Sequence, residues 1–146
     1  MLYFDQSATT APDESVLETY ITVSKKFFGN PSSLHALGEQ PEAILRKSTQ
    51  QVANLLGIQE KEVIFTSGAT ESNNMALKGV AYQYKNRGNH IITTSIEHPS
   101  VLKVCEQLEK QGFQITYLPV DETGRMRIKD LADAITDQTI LVSVQH

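Results

Sequence analysis

Apolar residues at Val16, Tyr20, Val23 and Phe27 recur every three or four positions, the spacing that lines one face of an α-helix. Pro12, Asp13 and Glu14 suit a first turn, because proline presets φ and the acids sit against the positive end of the helix dipole. The pattern predicts a helix from Pro12 to Phe28. Gly29-Asn30-Pro31-Ser32-Ser33 breaks it, and a second apolar face runs through Leu45, Thr49, Val52 and Leu56 to a capping Gly57, with Pro41 marking a kink or restart. Ahead of both, Leu2 to Phe4 reads as a short strand leading into the polar turn Asp5-Gln6-Ser7-Ala8-Thr9-Thr10.

Beyond Glu62 the period changes. Val63-Ile64-Phe65 is a β-branched and aromatic run too short for a helix, and Ser67-Gly68 follows directly, so it reads as a buried strand ending in a turn. A helix with Leu77, Val80, Ala81 and Tyr84 on one face comes next, then Gly88 and the strand His90 to Thr94. Further along, a helix from Pro99 carries Val101, Val104, Cys105 and Leu108, and a strand spans Phe113 to Leu118. A helix over Ile128 to Ile135 and a strand over Thr139 to Val144 complete the series. Alternation of this kind predicts an α/β fold with a parallel-rich sheet and helices on both faces. Residues 1–60 read as an N-terminal helical segment and residues 61–146 as the first part of an α/β domain. Ile140 to Val144 is a core-strand pattern two residues from the last residue, His146, and reads as a chain interrupted inside a longer protein, with a naturally short paralogue as the alternative.

Composition narrows the classes. With 146 residues, 40% hydrophobic and 21% charged, the chain has room for one sizeable core and is not of the disordered type. A net charge of -4, without a stripe of Lys or Arg, argues against direct nucleic-acid binding. No apolar run approaches the roughly 20 residues that cross a bilayer, and no secretory leader opens the chain, so a cytoplasmic protein is expected. A single cysteine, Cys105, excludes an internal disulfide and a thiolate metal cluster.

In a parallel α/β sheet, ligands gather at the carboxyl ends of strands, where a small-residue turn before a helix presents free N–H groups to an anion. Ser67-Gly68-Ala69-Thr70 has that form. No Gly-Lys-Ser or Gly-Lys-Thr follows, so a single phosphate fits better than a nucleotide. Taken alone, the same residues fit simple helix capping equally well. His98, just past the strand at Ile91 to Thr94, can reach a ligand there and titrate near neutrality, although a lone histidine is more often a surface or satisfied core residue.

The run Thr66-Ser67-Gly68-Ala69-Thr70-Glu71-Ser72-Asn73-Asn74 resembles the phosphate-binding signature of the cysteine desulfurases, within the aminotransferase class V group of pyridoxal-phosphate enzymes. Asp5 to Thr10, Gly29 to Ser33 with His35 behind it, and Thr94-Ser95-Ile96-Glu97-His98-Pro99-Ser100-Val101 resemble the same family, so that the likeness covers essentially the whole chain. It implies a truncated version of the large domain of fold-type I enzymes. Pyridoxal 5'-phosphate would be held by the Ala69 backbone and the Thr70 backbone and hydroxyl, with His98 stacked on the ring and serving as the catalytic residue. Asp5 to Thr10 and Asn30 to Ser33 would border the mouth of the site. The activity implied for a complete enzyme is removal of sulfur from L-cysteine, leaving L-alanine and an enzyme persulfide. The sulfur would pass to an acceptor protein, either an iron-sulfur scaffold or a tRNA-thiolating enzyme, and the enzyme would be a homodimer.

Alternatives are another class V enzyme, such as a selenocysteine lyase or an aminotransferase, or an inert truncated paralogue acting as a binding module. The family's Schiff-base lysine and persulfide cysteine lie further along such enzymes. None of Lys78, Lys85 and Lys103 matches the former, and Cys105 shares a helical face with Val101, Val104 and Leu108, which marks it as core. The 146-residue chain by itself is therefore expected to be inactive. His35 and His90 read as surface or local hydrogen-bonding residues, and His146 as part of an active-site loop cut short.

Overall fold

The computed structural model describes residues 2–145, so His146 lies outside the described residues. The chain divides at Ile64/Phe65 into two compact units. The first holds α1 (Glu14–Lys26), α2 (Ala36–Leu56) and a single 3-10 turn at Glu60–Glu62. The Asp13 carboxylate accepts from the Ser15 N–H at 2.9 Å and caps α1, which pushes the start of the helix past Pro12. Phe27 closes it, one residue short of the expected end. Helix α2 runs uninterrupted through Pro41 and stops at Gly57, whose φ of 67° is the left-handed conformation that glycine adopts without steric cost.

The second unit holds α3 (Ala69–Tyr84), β1 (His90–Thr94), α4 (Pro99–Glu109), β2 (Gln114–Leu118), α5 (Ile128–Ala134) and β3 (Thr139–Val142). The strands form one sheet in the order β2-β1-β3, both pairings parallel, as the alternation predicts. Central β1 is buried along its whole length. Ile91 packs on one face in a cluster with Leu77 and Ala81 of α3, with Val101, Val104, Cys105 and Leu108 of α4, and with Phe113. At roughly 1.5–3 kcal/mol for each large side chain removed from water, this cluster is the main source of the unit's stability. His90, at the start of β1, hydrogen-bonds Thr139 of β3 and Thr116 of β2 at 2.8 Å each. Its bonds therefore join three strands rather than near neighbours in the chain.

Two expected strands are absent. Residues 2–4 form no strand, and Leu2 and Phe4 are exposed. Val63 to Phe65 is extended without a partner, leaving Ile64 66% and Phe65 55% exposed. A strand exists only through its ladder, and none of the three described strands pairs with either segment. A β-rich composition cannot supply a neighbour.

Candidate cofactor-binding site

Helix α3 begins at Ala69 behind Gly68, and no side chain caps it. The first-turn N–H groups of Ala69 and Thr70 find no partner among the described residues. One residue further on, Glu71 turns back: its Oε2 accepts from the Ser67 N–H at 2.6 Å and the Ser67 hydroxyl at 2.7 Å. The backbone bond first, then the hydroxyl bond, lowers the Glu71 pKa from the ordinary 4.5. A carboxylate so engaged stiffens the turn while leaving the two free amides available. The Thr66 hydroxyl adds a second tie, 2.7 Å from the Ser72 hydroxyl.

Helix α4 begins at Pro99, with His98 as its N-cap. The imidazole Nδ1 accepts from the Ser100 N–H at 3.1 Å and lies 2.8 Å from the Ser100 hydroxyl. The loop carrying His98 is held from below by Glu97, which is buried. Its Oε1 accepts from the Thr94 hydroxyl at 2.6 Å and from the Gln145 N–H at 2.9 Å, so the ends of β1 and β3 both grip it.

Because α3 and α4 pack together, their N-termini meet. Thr70 and His98 line one cavity of about 360 Å³ with Asn74, Ser100, Lys103 and Gln107. Ala69 opens α3 just outside that lining. Asn73 donates to the Ser100 hydroxyl at 2.8 Å. The residues fit a phosphate monoester bearing a flat ring: two free amides and a hydroxyl at the positive end of a four-turn helix, with an imidazole across the same cavity. Lys103 lines this cavity too, but its ammonium pairs with Glu106 at 2.9 Å. Cys105 lies in the core, fully buried, and desolvation raises its thiol pKa to about 11, which keeps it protonated and inert.

Asn73, Asn74 and Ser100 carry no distinct role in the sequence alone. The signal was present in part: Ser100 is a polar residue at the start of an otherwise apolar helix face, and Asn74 stands four residues beyond Thr70, whose carbonyl accepts from its side chain at 2.9 Å. Spacing within one helix could not show that Asn73 meets Ser100 across two helices. Among the described residues no group of three or more His, Cys, Asp or Glu is arranged to hold a metal ion, and no helix is long and apolar enough to cross a membrane.

Comparison with known proteins identifies the family. A NifS/IcsS protein homolog of Lactobacillus delbrueckii subsp. bulgaricus is 51% identical over 144 residues, covering 99% of this chain and 37% of that protein. A cysteine desulfurase IscS of Clostridium botulinum is 47% identical over 143 residues, covering 98% of this chain and 36% of its own length. A solved NifS-like protein superposes with a TM-score of 0.93 at 40% identity, over 98% of this chain and 39% of that one. The chain thus spans little more than a third of the relatives it matches. The profile of the aminotransferase class-V family matches residues 2–146, and the chain belongs to that family.

Proposed function

We propose that the chain is the N-terminal, cofactor-binding portion of a cysteine desulfurase, an enzyme that takes sulfur from L-cysteine and leaves L-alanine. The reading rests on one observation above all: Thr70 at the start of α3 and His98 at the start of α4 line a single cavity. The Ala69 and Thr70 amides and the Thr70 hydroxyl would hold the phosphate of pyridoxal 5'-phosphate, and His98 would lie against its ring. Bound there, the cofactor supplies an electron sink for chemistry at the Cα of an amino acid. The protein's part is to fix the phosphate, orient the ring and present an imidazole beside the reacting carbon. The names of the relatives support L-cysteine as substrate. A homodimer and a protein sulfur acceptor, either an iron-sulfur scaffold or a tRNA-thiolating enzyme, belong to the same proposal. The 146 residues alone do not turn over cysteine in this reading, because they contain no match to the Schiff-base lysine or the persulfide cysteine.

Thr70→Ala in the full-length enzyme tests the phosphate assignment. Loss of a charge-assisted hydrogen bond costs about 1.5–3 kcal/mol, so the affinity for pyridoxal phosphate should fall roughly ten- to a hundredfold. Affinity for pyridoxal, which lacks the phosphate, should not change. Equal affinity of the variant and the parent for pyridoxal phosphate would overturn the assignment.

A further inference from the structure

Three hydrogen bonds around His98 run in one direction. A backbone N–H can only donate, so the Ser100 amide 3.1 Å from the His98 Nδ1 requires a lone pair on that nitrogen. The Asn73 side-chain amide donates to the Ser100 hydroxyl oxygen at 2.8 Å, which leaves the hydroxyl proton to point at Nδ1, also 2.8 Å away. Asn73 reaches this chain from α3 and is part-buried, while Ser100 is only 8% exposed. Water therefore competes weakly for the Asn73–Ser100 bond, while the His98 residue itself is exposed. Among the described residues Nε2 has no partner.

We propose that Asn73 and Ser100 are positioning residues that lock neutral His98 in the tautomer with its proton on Nε2. The proposal rests on the reading of His98 as the ring-stacking residue and extends it. His98 then meets the cofactor and substrate as a hydrogen-bond donor through Nε2–H, with its only lone pair already engaged behind the ring. A neutral histidine free in water exchanges between tautomers; here the direction of the relay removes that freedom. The sense of the hydroxyl bond depends on Asn73 as a donor, so an acceptor in its place sets the hydroxyl against the Ser100 amide. In Asn73→Asp the carboxylate takes the Ser100 hydroxyl proton and the hydroxyl turns its lone pair to Nδ1, while the Ser100 amide still donates there, so the preference for Nε2–H weakens.

The test is a long-range proton–nitrogen correlation spectrum of the chain labelled at its four histidines, at a pH well above the ordinary histidine range, with exposed His35 as the reference. His90, bonded at both ring nitrogens inside the sheet, reports folding in the same spectrum. The expected result is His98 at the limiting Nε2–H pattern while His35 is averaged, a pattern kept in Ser100→Thr and moved part of the way toward the averaged one in Asn73→Asp. With His90 ordered, an averaged His98, an Nδ1–H pattern in the parent, or no response to Asn73→Asp would overturn the proposal. None of these signals requires pyridoxal phosphate, so failure here leaves the phosphate site standing, and failure of Thr70→Ala leaves the tautomer readable.

Discussion

Cys105 and Glu71 show how one environment silences a reactive group and another recruits an ordinary one. The Cys105 thiol is fully buried, and desolvation, then the charges of Glu109 and Glu97, raises its pKa from 9.0 to about 11. It should resist alkylation at neutral pH in the folded chain and react at once in denaturant. Rapid modification without unfolding would show that α4 opens. Glu71 is fully exposed, and its lowered pKa comes from the bonds with Ser67. A group whose folded pKa is depressed stabilises the fold above its ordinary value and loses that contribution as pH falls through the depressed one. Protection of the Ser67 amide against hydrogen exchange should therefore be fully present above pH 4.5 and be lost only as the pH falls through the depressed value beneath it, whereas Glu71→Gln should abolish this acid step. An unchanged pH profile in the variant would remove Glu71 from the turn. The importance of Glu71 was only half visible in its sequence position, since a first-turn acid usually serves the helix dipole and here it bonds backward to Ser67.

At the scale of elements, the segment that joins α3 to β1 is close packed. Gly88 is buried, and a Cβ there would collide with the Gln138 backbone carbonyl, the same carbonyl that accepts from the His90 N–H at 2.9 Å. Gly88→Ala should destabilise the chain by about 1–3 kcal/mol in urea unfolding, as overpacking does. Gly79, within α3 and open on all sides, provides the contrast: Gly79→Ala should stabilise by about 0.5–1 kcal/mol through helix propensity. Equal effects at the two positions would mean that the β1 approach is not close packed. The elements whose signal was local were legible in advance. Strand β1 matches its expected bounds, α4 starts at the expected Pro99, and α2 ends at the expected Gly57. Val63 to Phe65 was misread because its β-branched side chains suit a strand while its ladder needs a second segment that composition does not name.

For the whole molecule, the balance of exposed apolar surface is unusual. Helix α1 buries none of its residues, and Val16, Tyr20, Phe28, Ile64 and Phe65 are all more than half exposed. Exposed apolar side chains in this number are candidates for cover by other polypeptide, either the remainder of a longer chain or a second copy of this one. Light scattering after size exclusion should give a mass above the 16.2 kDa of one chain. A monomer that binds no apolar dye would count against this. The sequence alone determined the α/β class, the helix and strand periods, the small-residue turn before α3 and the family likeness, because periodicity, capping and motif chemistry act over a few adjacent residues. The tertiary structure decided the strand order β2-β1-β3, the absence of a ladder for Val63 to Phe65, and the meeting of Thr70 with His98. It alone also joined Asn73 to Ser100. These depend on which segments pack against each other across long stretches of chain, and that is settled by pairing and burial in three dimensions rather than by spacing along one.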